Sequence, residues 1–346
     1  MEKTMKAGII TEPYKFEIRE LPVRPPGPGE VLIRQRAVAL CTMEQRVYTG
    51  ARKFPYPGCW GHEISGIVEE IGPDTATDLQ VGDHVALGIH HFCGQCEYCR
   101  KGLEEHCLHR GGLLKIDGIV GIFGMAQYNT VAARRLVKIE KDIPFEHSAL
   151  TEPLACVLQG LRKLNIKQAE TVAVIGAGTM GLLNVMAAVG RGAKVIVSEI
   201  DEKRRQKALE LGAAAVINPL EEDVEEKIKE YNSGFKADAV IIAIGNKNAN
   251  DDALKMVAIE GRVLYFASAR PVEPLDIDPN IIHDTGIVLT GVKGKNIRDI
   301  RDSAFLISAG IIDIGAVVED TVTLDNAQQG LENASKNNTF RIVVMM

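Results

Sequence analysis

Long apolar runs are missing from this sequence: none approaches the ~20 residues that a bilayer-spanning helix requires, so no membrane association is expected. Positive charge is not in excess either. Forty Lys and Arg against 46 Asp and Glu leave a net charge of −6, whereas a general nucleic-acid binder is normally basic. Aromatic residues make up only 5% of the chain, which further weakens a nucleic-acid reading. The opening MEKTMKAGII is charged early and has no hydrophobic segment leading to a small-residue cleavage site, so a cytoplasmic protein is expected. An even cysteine complement is also lacking. There are seven, and a secreted disulfide framework favours an even number in a shorter chain. Internal repeats and low-complexity tracts are absent.

What is present is the balance of a soluble globular protein, with 46% hydrophobic and 25% charged residues, in a chain whose 346 residues favour two domains. The first 150 residues are rich in Gly, Pro and short Val/Ile runs. Val31–Ala39 and Ile64–Ile71 read as strands, separated by turn signals such as PPGPGE and VGD. From about residue 153 the texture changes to strand–helix alternation. Strands are predicted at Thr171–Gly176, Lys194–Glu199, Ala215–Ile217, Ala237–Ile244, Arg262–Ala267 and Ile287–Val292. Helices are predicted at Met180–Gly190, Asp201–Gly212, Leu220–Tyr231 and Asp251–Ala258. That alternation implies parallel βαβ units and a doubly wound sheet, so the chain as a whole is of the α/β class. Helices near Ile297–Ser308 and Leu324–Ser335 and a strand at Thr339–Met345 follow. They either close the sheet or return to the first domain.

Gly176-Ala-Gly178-Thr179-Met180-Gly181 has the GxGxxG spacing, and it follows a strand and opens a helix. Gly176 makes the tight turn, Gly178 lets the backbone approach a pyrophosphate, and Gly181 lets the helix pack against the sheet. The phosphates are expected on the free N–H groups at the helix N-terminus. Glu199, 18 residues beyond Gly181, ends the second strand, where a carboxylate accepts from ribose hydroxyls and repels a 2′-phosphate. NAD is therefore expected rather than NADP. Lys203 and Arg204 lie just beyond and bear on that choice; Arg204 joins Thr179 and Met180 among the cofactor-binding candidates.

Cys93, Cys96, Cys99 and Cys107 follow C-x2-C-x2-C-x7-C, a spacing that can close a tetrahedral zinc shell of structural type. An iron–sulfur cluster is the alternative such a run allows, but nothing else suggests electron transfer. His90, His91, His106 and His109 nearby read as polar surface residues. A second, dispersed group contains Cys41, His62, Glu63 and Glu152, donor types that suit a catalytic zinc with an open position. Each is also unremarkable alone: a buried thiol, a structural imidazole, an exposed carboxylate. Trp60 and Tyr48 either touch substrate or belong to the core, and Cys59 and Cys156 read as small buried residues.

With GHEISGIVEEIG at 61–72, VGDHV at 81–85, the four-cysteine lobe, TEPLAC and GAGTMG in order, the chain resembles the zinc-containing medium-chain dehydrogenase/reductase family. The polyol (sorbitol-like) and threonine dehydrogenase branch is the nearest. The resemblance implies a GroES-like catalytic domain over 1–152, to which 295–346 return, and a Rossmann NAD-binding domain over 153–294, with the active site in a cleft between them. It implies a homodimer or homotetramer. It also implies that Cys41, His62 and either Glu63 or Glu152 ligate a catalytic zinc, in addition to one structural zinc. One stretch departs from the pattern. Family members usually read Cys-Gly-Ser/Thr-Asp-x-His, whereas this chain has Cys41-Thr42-Met43-Glu44-Gln45-Arg46. Met43 holds the position of the proton-passing hydroxyl. Thr42 sits one place off, and in an extended segment adjacent residues face opposite ways. Glu44 matches the acidic position.

The expected activity is hydride transfer between NAD(H) and a small alcohol or ketone bound through zinc, with the proton leaving through Glu44, Thr42 or a metal-bound water. A polyol, sugar alcohol or cyclitol is the first expectation for the substrate. Threonine and simple secondary alcohols come next. A non-catalytic NAD-sensing protein on the same fold is the alternative from a different class.

Overall fold

The computed structural model describes residues 3–88, 91–269, 272, 275–336 and 339–346. The chain forms two compact units, Met1–Ala155 with Lys295–Met346, and Cys156–Gly294. The final segment thus returns to the first unit, and the first boundary falls inside the helix Thr151–Leu164.

The discontinuous unit is built on two sheets. The smaller runs in the order Lys15–Pro22, Thr4–Glu12, Gly58–Cys59, Ile119–Gly121, Leu114–Ile116. The larger runs Leu136–Lys138, His84–Leu87, Glu63–Ile71, Glu30–Ala39, Arg341–Met345, Val318–Thr323, with Tyr128–Ala132 also paired to Glu30–Ala39. Val/Ile-rich runs with one buried face favour strands here, since branched side chains pack well on a pleated surface. Ile9, Ile33, Ile64, Trp60, Phe123, Met125, Ile342 and Val344 fill the shared core. Trp60 and Tyr48 are core residues, both essentially fully buried.

Register decides what the sheet delivers. Ala39 lies opposite Glu63 on one side and Val343 on the other, both pairings antiparallel. The end of the central strand, just before Cys41, is thereby flanked by the beginnings of two neighbours that carry Glu63 and Arg341.

The second unit is a six-stranded parallel sheet in the order Ala215–Ile217, Lys194–Ser198, Thr171–Ile175, Ala237–Ile242, Val257–Tyr265, Val288–Gly291. This is the 3-2-1-4-5-6 order of a dinucleotide-binding doubly wound fold. Its strands are near-continuous apolar runs because both faces are covered, Val172, Ala173, Val174, Val240 and Ile241 being fully buried.

Several expected boundaries move. The helix expected over Leu220–Tyr231 begins at Val224, because the Asp223 carboxylate caps it by accepting from the N–H of Glu225 and Glu226. The helix expected at Asp251–Ala258 runs Lys247–Met256, capped by Asn246, and Val257 and Ala258 belong to the next strand. The C-terminal helix is split into a 3₁₀ turn, Leu324–Asn326, and Ala327–Ala334. A helix at Pro279–Thr285 and a strand at Val318–Thr323 had no clear periodic signal.

Candidate metal and cofactor sites

The segment after Cys41 is a helix, Thr42–Tyr48, and not the extended stretch expected from the motif comparison. Its N-terminus explains the difference. The Met43 N–H donates to Cys41 Sγ at 3.3 Å, and Glu44 Oε2 accepts from the Cys41 N–H at 3.1 Å, a reciprocal capping box. Side chains here follow the helical period, so Thr42 is exposed while Glu44 is fully buried. The other Glu44 oxygen lies 2.8 Å from His62 Nδ1. One carboxylate therefore fixes both the Cys41 backbone and the ring of His62.

Gly61 precedes His62 with φ +106, and a Cβ there would lie 2.8 Å from Val38 Cγ2, so this turn of the GHE motif requires glycine. The ligand atoms of Cys41, His62 and Glu63 all lie within 4.8 Å of one another. Glu63 Oε1 pairs with Arg341 Nη2 at 3.0 Å, and Arg341 Nη1 donates to the Leu40 carbonyl at 3.1 Å. Glu63 Oε2 is buried with no hydrogen-bond partner. A bare carboxylate oxygen in a buried site is costly unless a cation completes it. Next to a thiol and an imidazole, that orphan oxygen fits a metal ion of zinc type.

The electrostatics agree. Burial raises the Glu63 carboxyl to about 7 against the pull of Arg341, with Glu152 adding repulsion. Burial also pushes the Cys41 thiol up. Burial opposes charge on His62, but Glu44 and Cys41 outweigh it and raise that imidazole well above its usual value.

Glu152, in the first turn of Thr151–Leu164, stands outside the converging trio. Its Oε1 is paired with Lys295 Nζ, and both residues are buried. Arg341 and Lys295 are the ion-pair partners of the candidate site that sequence reasoning missed. An arginine opening the apolar strand RIVVM was a signal of sorts. Lys295, in a short connection between strand and helix, gave none.

The sulfurs of Cys93, Cys96, Cys99 and Cys107 also converge within 4.8 Å. Cys93 Sγ to Cys99 Sγ is 4.0 Å and Cys96 Sγ to Cys107 Sγ is 3.9 Å. Sulfurs bound ~2.3 Å from one tetrahedral zinc lie about 3.8 Å apart, whereas a disulfide requires ~2.05 Å. All seven cysteines are free thiols. Main-chain N–H groups of Gln95 and Cys96 point at Cys93 Sγ, and that of His109 at Cys107 Sγ, at 3.3–3.4 Å. N–H groups of Cys99 and Leu108 at the Cys96 sulfur bring its thiol down to about 6, while burial lifts Cys99 to about 12. His106 and His109 are exposed and His91 is half-buried; His90 lies outside the described residues. Cys59 is buried as expected, but Cys156 is only partly so.

In the second unit, Gly176 follows the strand Thr171–Ile175 at φ +93, and Gly178 is the N-cap of the helix Thr179–Val189. A Cβ on Gly181 would collide with the Gly176 carbonyl, whereas Gly178 has open space around it. The Glu199 carboxylate is tied into this loop. It accepts from the Ala177 N–H at 2.6 Å and the Asp201 N–H at 3.0 Å. Arg204 is partly buried in the first turn of the following helix, its N–H donating to the Asp201 cap at 2.9 Å. Thr179 and Met180 open the helix Thr179–Val189.

Residues 27–141 match the family described as alcohol dehydrogenase GroES-like domain, and residues 179–308 that described as zinc-binding dehydrogenase. The L-threonine 3-dehydrogenase of Pyrococcus horikoshii is 31% identical over 356 aligned positions that cover all of both chains. Among solved structures, a Sinorhizobium meliloti protein assigned as a zinc-binding dehydrogenase and bound to NADP superposes with a TM-score of 0.90 at 27% identity, over all of both chains. The benzyl alcohol dehydrogenase of Acinetobacter calcoaceticus superposes at 0.90 with 25% identity, over 99% of each.

Proposed function

The chain belongs to the zinc-containing medium-chain dehydrogenase family, and we propose that it is an NAD-dependent enzyme interconverting a small secondary alcohol and its ketone. The observation that carries this reading is the buried trio Cys41, His62 and Glu63, with one Glu63 oxygen left without a partner. A zinc ion held there supplies Lewis acidity, which polarises an alcohol or carbonyl oxygen and lowers the alcohol's pKa. A second, structural zinc belongs to the four-cysteine lobe in this proposal. NAD supplies the hydride acceptor.

The chain's own residues do the rest. Cys41, His62 and Glu63 bind the metal. Glu44 orients the His62 ring through Nδ1 and so selects which ring nitrogen faces the metal. Because Glu44 is fully buried with both oxygens engaged, we assign it a positioning role in place of the proton exit first expected. Thr42, exposed at the start of the same helix, stays the candidate for passing the proton onward. Support for NAD comes from Glu199, whose carboxylate is fixed by two main-chain N–H groups and adds negative charge where a 2′-phosphate would lie.

The acidic type of donor at this centre, with Glu63 in the converging trio, resembles the polyol branch of the family and supports a polyhydroxy alcohol as substrate. The full-length likeness to an L-threonine 3-dehydrogenase favours a β-hydroxy amino acid as the second reading. A homodimer or homotetramer in the cytoplasm completes the proposal, and light scattering tests the assembly. The deciding measurement is NADH formation by the zinc-replete protein with polyols, cyclitols, threonine and secondary alcohols, repeated with NADP. Turnover on one class, lost in Cys41→Ser, is expected. NAD binding with a full zinc complement and no turnover on any class would sink the catalytic reading in favour of a nucleotide sensor.

A further inference from the structure

Two carboxylates stand beside the candidate metal position, and each has a buried cation supplied by the returning segment of the chain. Arg341 takes Glu63 Oε1 and leaves Oε2 bare toward Cys41 and His62. Lys295 takes Glu152 Oε1, and Glu152 is not among the atoms that converge. A buried lysine is rare unless paired, and a charged ammonium on a carboxylate competes with any metal for the same lone pairs. Lys295 also lines a cavity of about 20 Å³, room for one water, together with Glu104, Arg135 and Asn296. Glu104 Oε2 is buried without a hydrogen-bond partner.

We infer that Lys295 is a latch on Glu152: it holds that carboxylate off the metal, so that the resting ligand set is Cys41, His62 and Glu63 with one position open for substrate. Lys295 acts through Glu152, as a positioning residue, and sets how many carboxylates the metal receives. Without the latch, Glu152 enters the open position.

The inference rests on the metal-centre reading above, and cobalt as a spectroscopic replacement for zinc tests the two separately. Cys41→Ser gives the spectrum of the four-cysteine lobe alone, to be subtracted from the others. If Cys41→Ser and the native protein share one spectrum, no metal sits at Cys41, and the metal-centre reading fails along with the latch.

With a Cys41 centre present, Glu152→Gln should leave the cobalt bands of the native protein unchanged. Lys295→Met should shift them, as expected when a carboxylate takes the open position of a four-coordinate cobalt. It should also slow zinc loss to a chelator by ~10-fold, the scale on which neighbouring groups tune metal affinity. Both changes should vanish in Lys295→Met/Glu152→Gln, and Lys295→Arg should restore the native bands. A gain in zinc retention that persists in the double variant reflects lost charge alone and overturns the latch. So does an unchanged spectrum in folded Lys295→Met. Should Lys295→Met not fold, Glu152→Gln decides: altered bands there make Glu152 a resting ligand, which overturns the proposal, and unaltered bands support it.

Discussion

Glu44 illustrates how much one buried carboxylate can hold in place. Its two oxygens hold the Cys41 N–H at 3.1 Å and His62 Nδ1 at 2.8 Å, so Glu44→Gln swaps an acceptor for a donor at one of these contacts. We expect kcat/KM to fall ~10–100-fold and zinc to be lost more readily, with the Kd for NAD unchanged. Steady-state kinetics alongside NADH fluorescence titration would check this, and equal losses in both would contradict it. A second residue-scale expectation concerns acid stability. Arg24 grips both oxygens of Glu30 at 2.8 Å and the Gly27 N–H adds a third bond, which holds the Glu30 carboxyl below its ordinary 4.5. The folded state thus binds fewer protons than the unfolded chain below about pH 5. The stabilisation is present above 4.5 and lost as pH falls through the folded pKa. Glu30→Gln should cost up to about 1 kcal/mol at pH 7 and progressively less as pH falls below 4.5, as measured by urea unfolding across pH.

At the scale of elements, the nucleotide loop separates two uses of glycine. Gly181 is required by packing, because a Cβ there meets the Gly176 carbonyl. Gly178 is in ordinary backbone geometry with open space around it, so its bareness serves whatever approaches the helix N-terminus. Gly181→Ala should therefore lower stability by ~1–3 kcal/mol, whereas Gly178→Ala should fold normally and bind NAD at least about tenfold more weakly. Thermal melts with and without NAD would distinguish the two; equal destabilisation by both would show the assignment to be wrong. The helix Thr42–Tyr48 teaches the converse lesson. The motif comparison assumes an extended stretch, but Cys41 and Glu44 form a capping box across three residues, and that local chemistry decides the conformation.

For the molecule as a whole, the return of residues 295–346 is the organising event. It inserts Arg341–Met345 beside Glu30–Ala39 and thereby sets Arg341 against Glu63, 278 residues earlier in the chain. Arg341→Met removes the buried cation that pairs with the Glu63 carboxylate. We expect a loss of ~3–5 kcal/mol in the zinc-free protein and a smaller one with zinc bound, because the metal then neutralises the same carboxylate. Urea unfolding with and without zinc tests the difference, and identical losses would argue that Glu63 does not face the metal.

Much of this was legible in the linear sequence wherever a function resides in consecutive residues. The glycine loop with Glu199, the four-cysteine spacing and the strand–helix alternation of the second unit depend on backbone geometry and periodicity within a few turns of chain. They therefore appear as spacing. The boundaries that slipped, at Leu220 and Asp251, are capping events in which a single Asp or Asn decides between adjacent starts. Cys41, His62, Glu63 and Glu152 were nameable as donors, but not their division into a converging trio and a carboxylate paired elsewhere. Sheet register, with Glu63 and Val343 on either side of Ala39, and the buried cations Arg341 and Lys295 made that division. Donor chemistry is a property of the residue and can be read from the sequence. Which carboxylate meets a metal and which meets an ammonium depends on distances across strands far apart in the chain, and only the tertiary structure sets those.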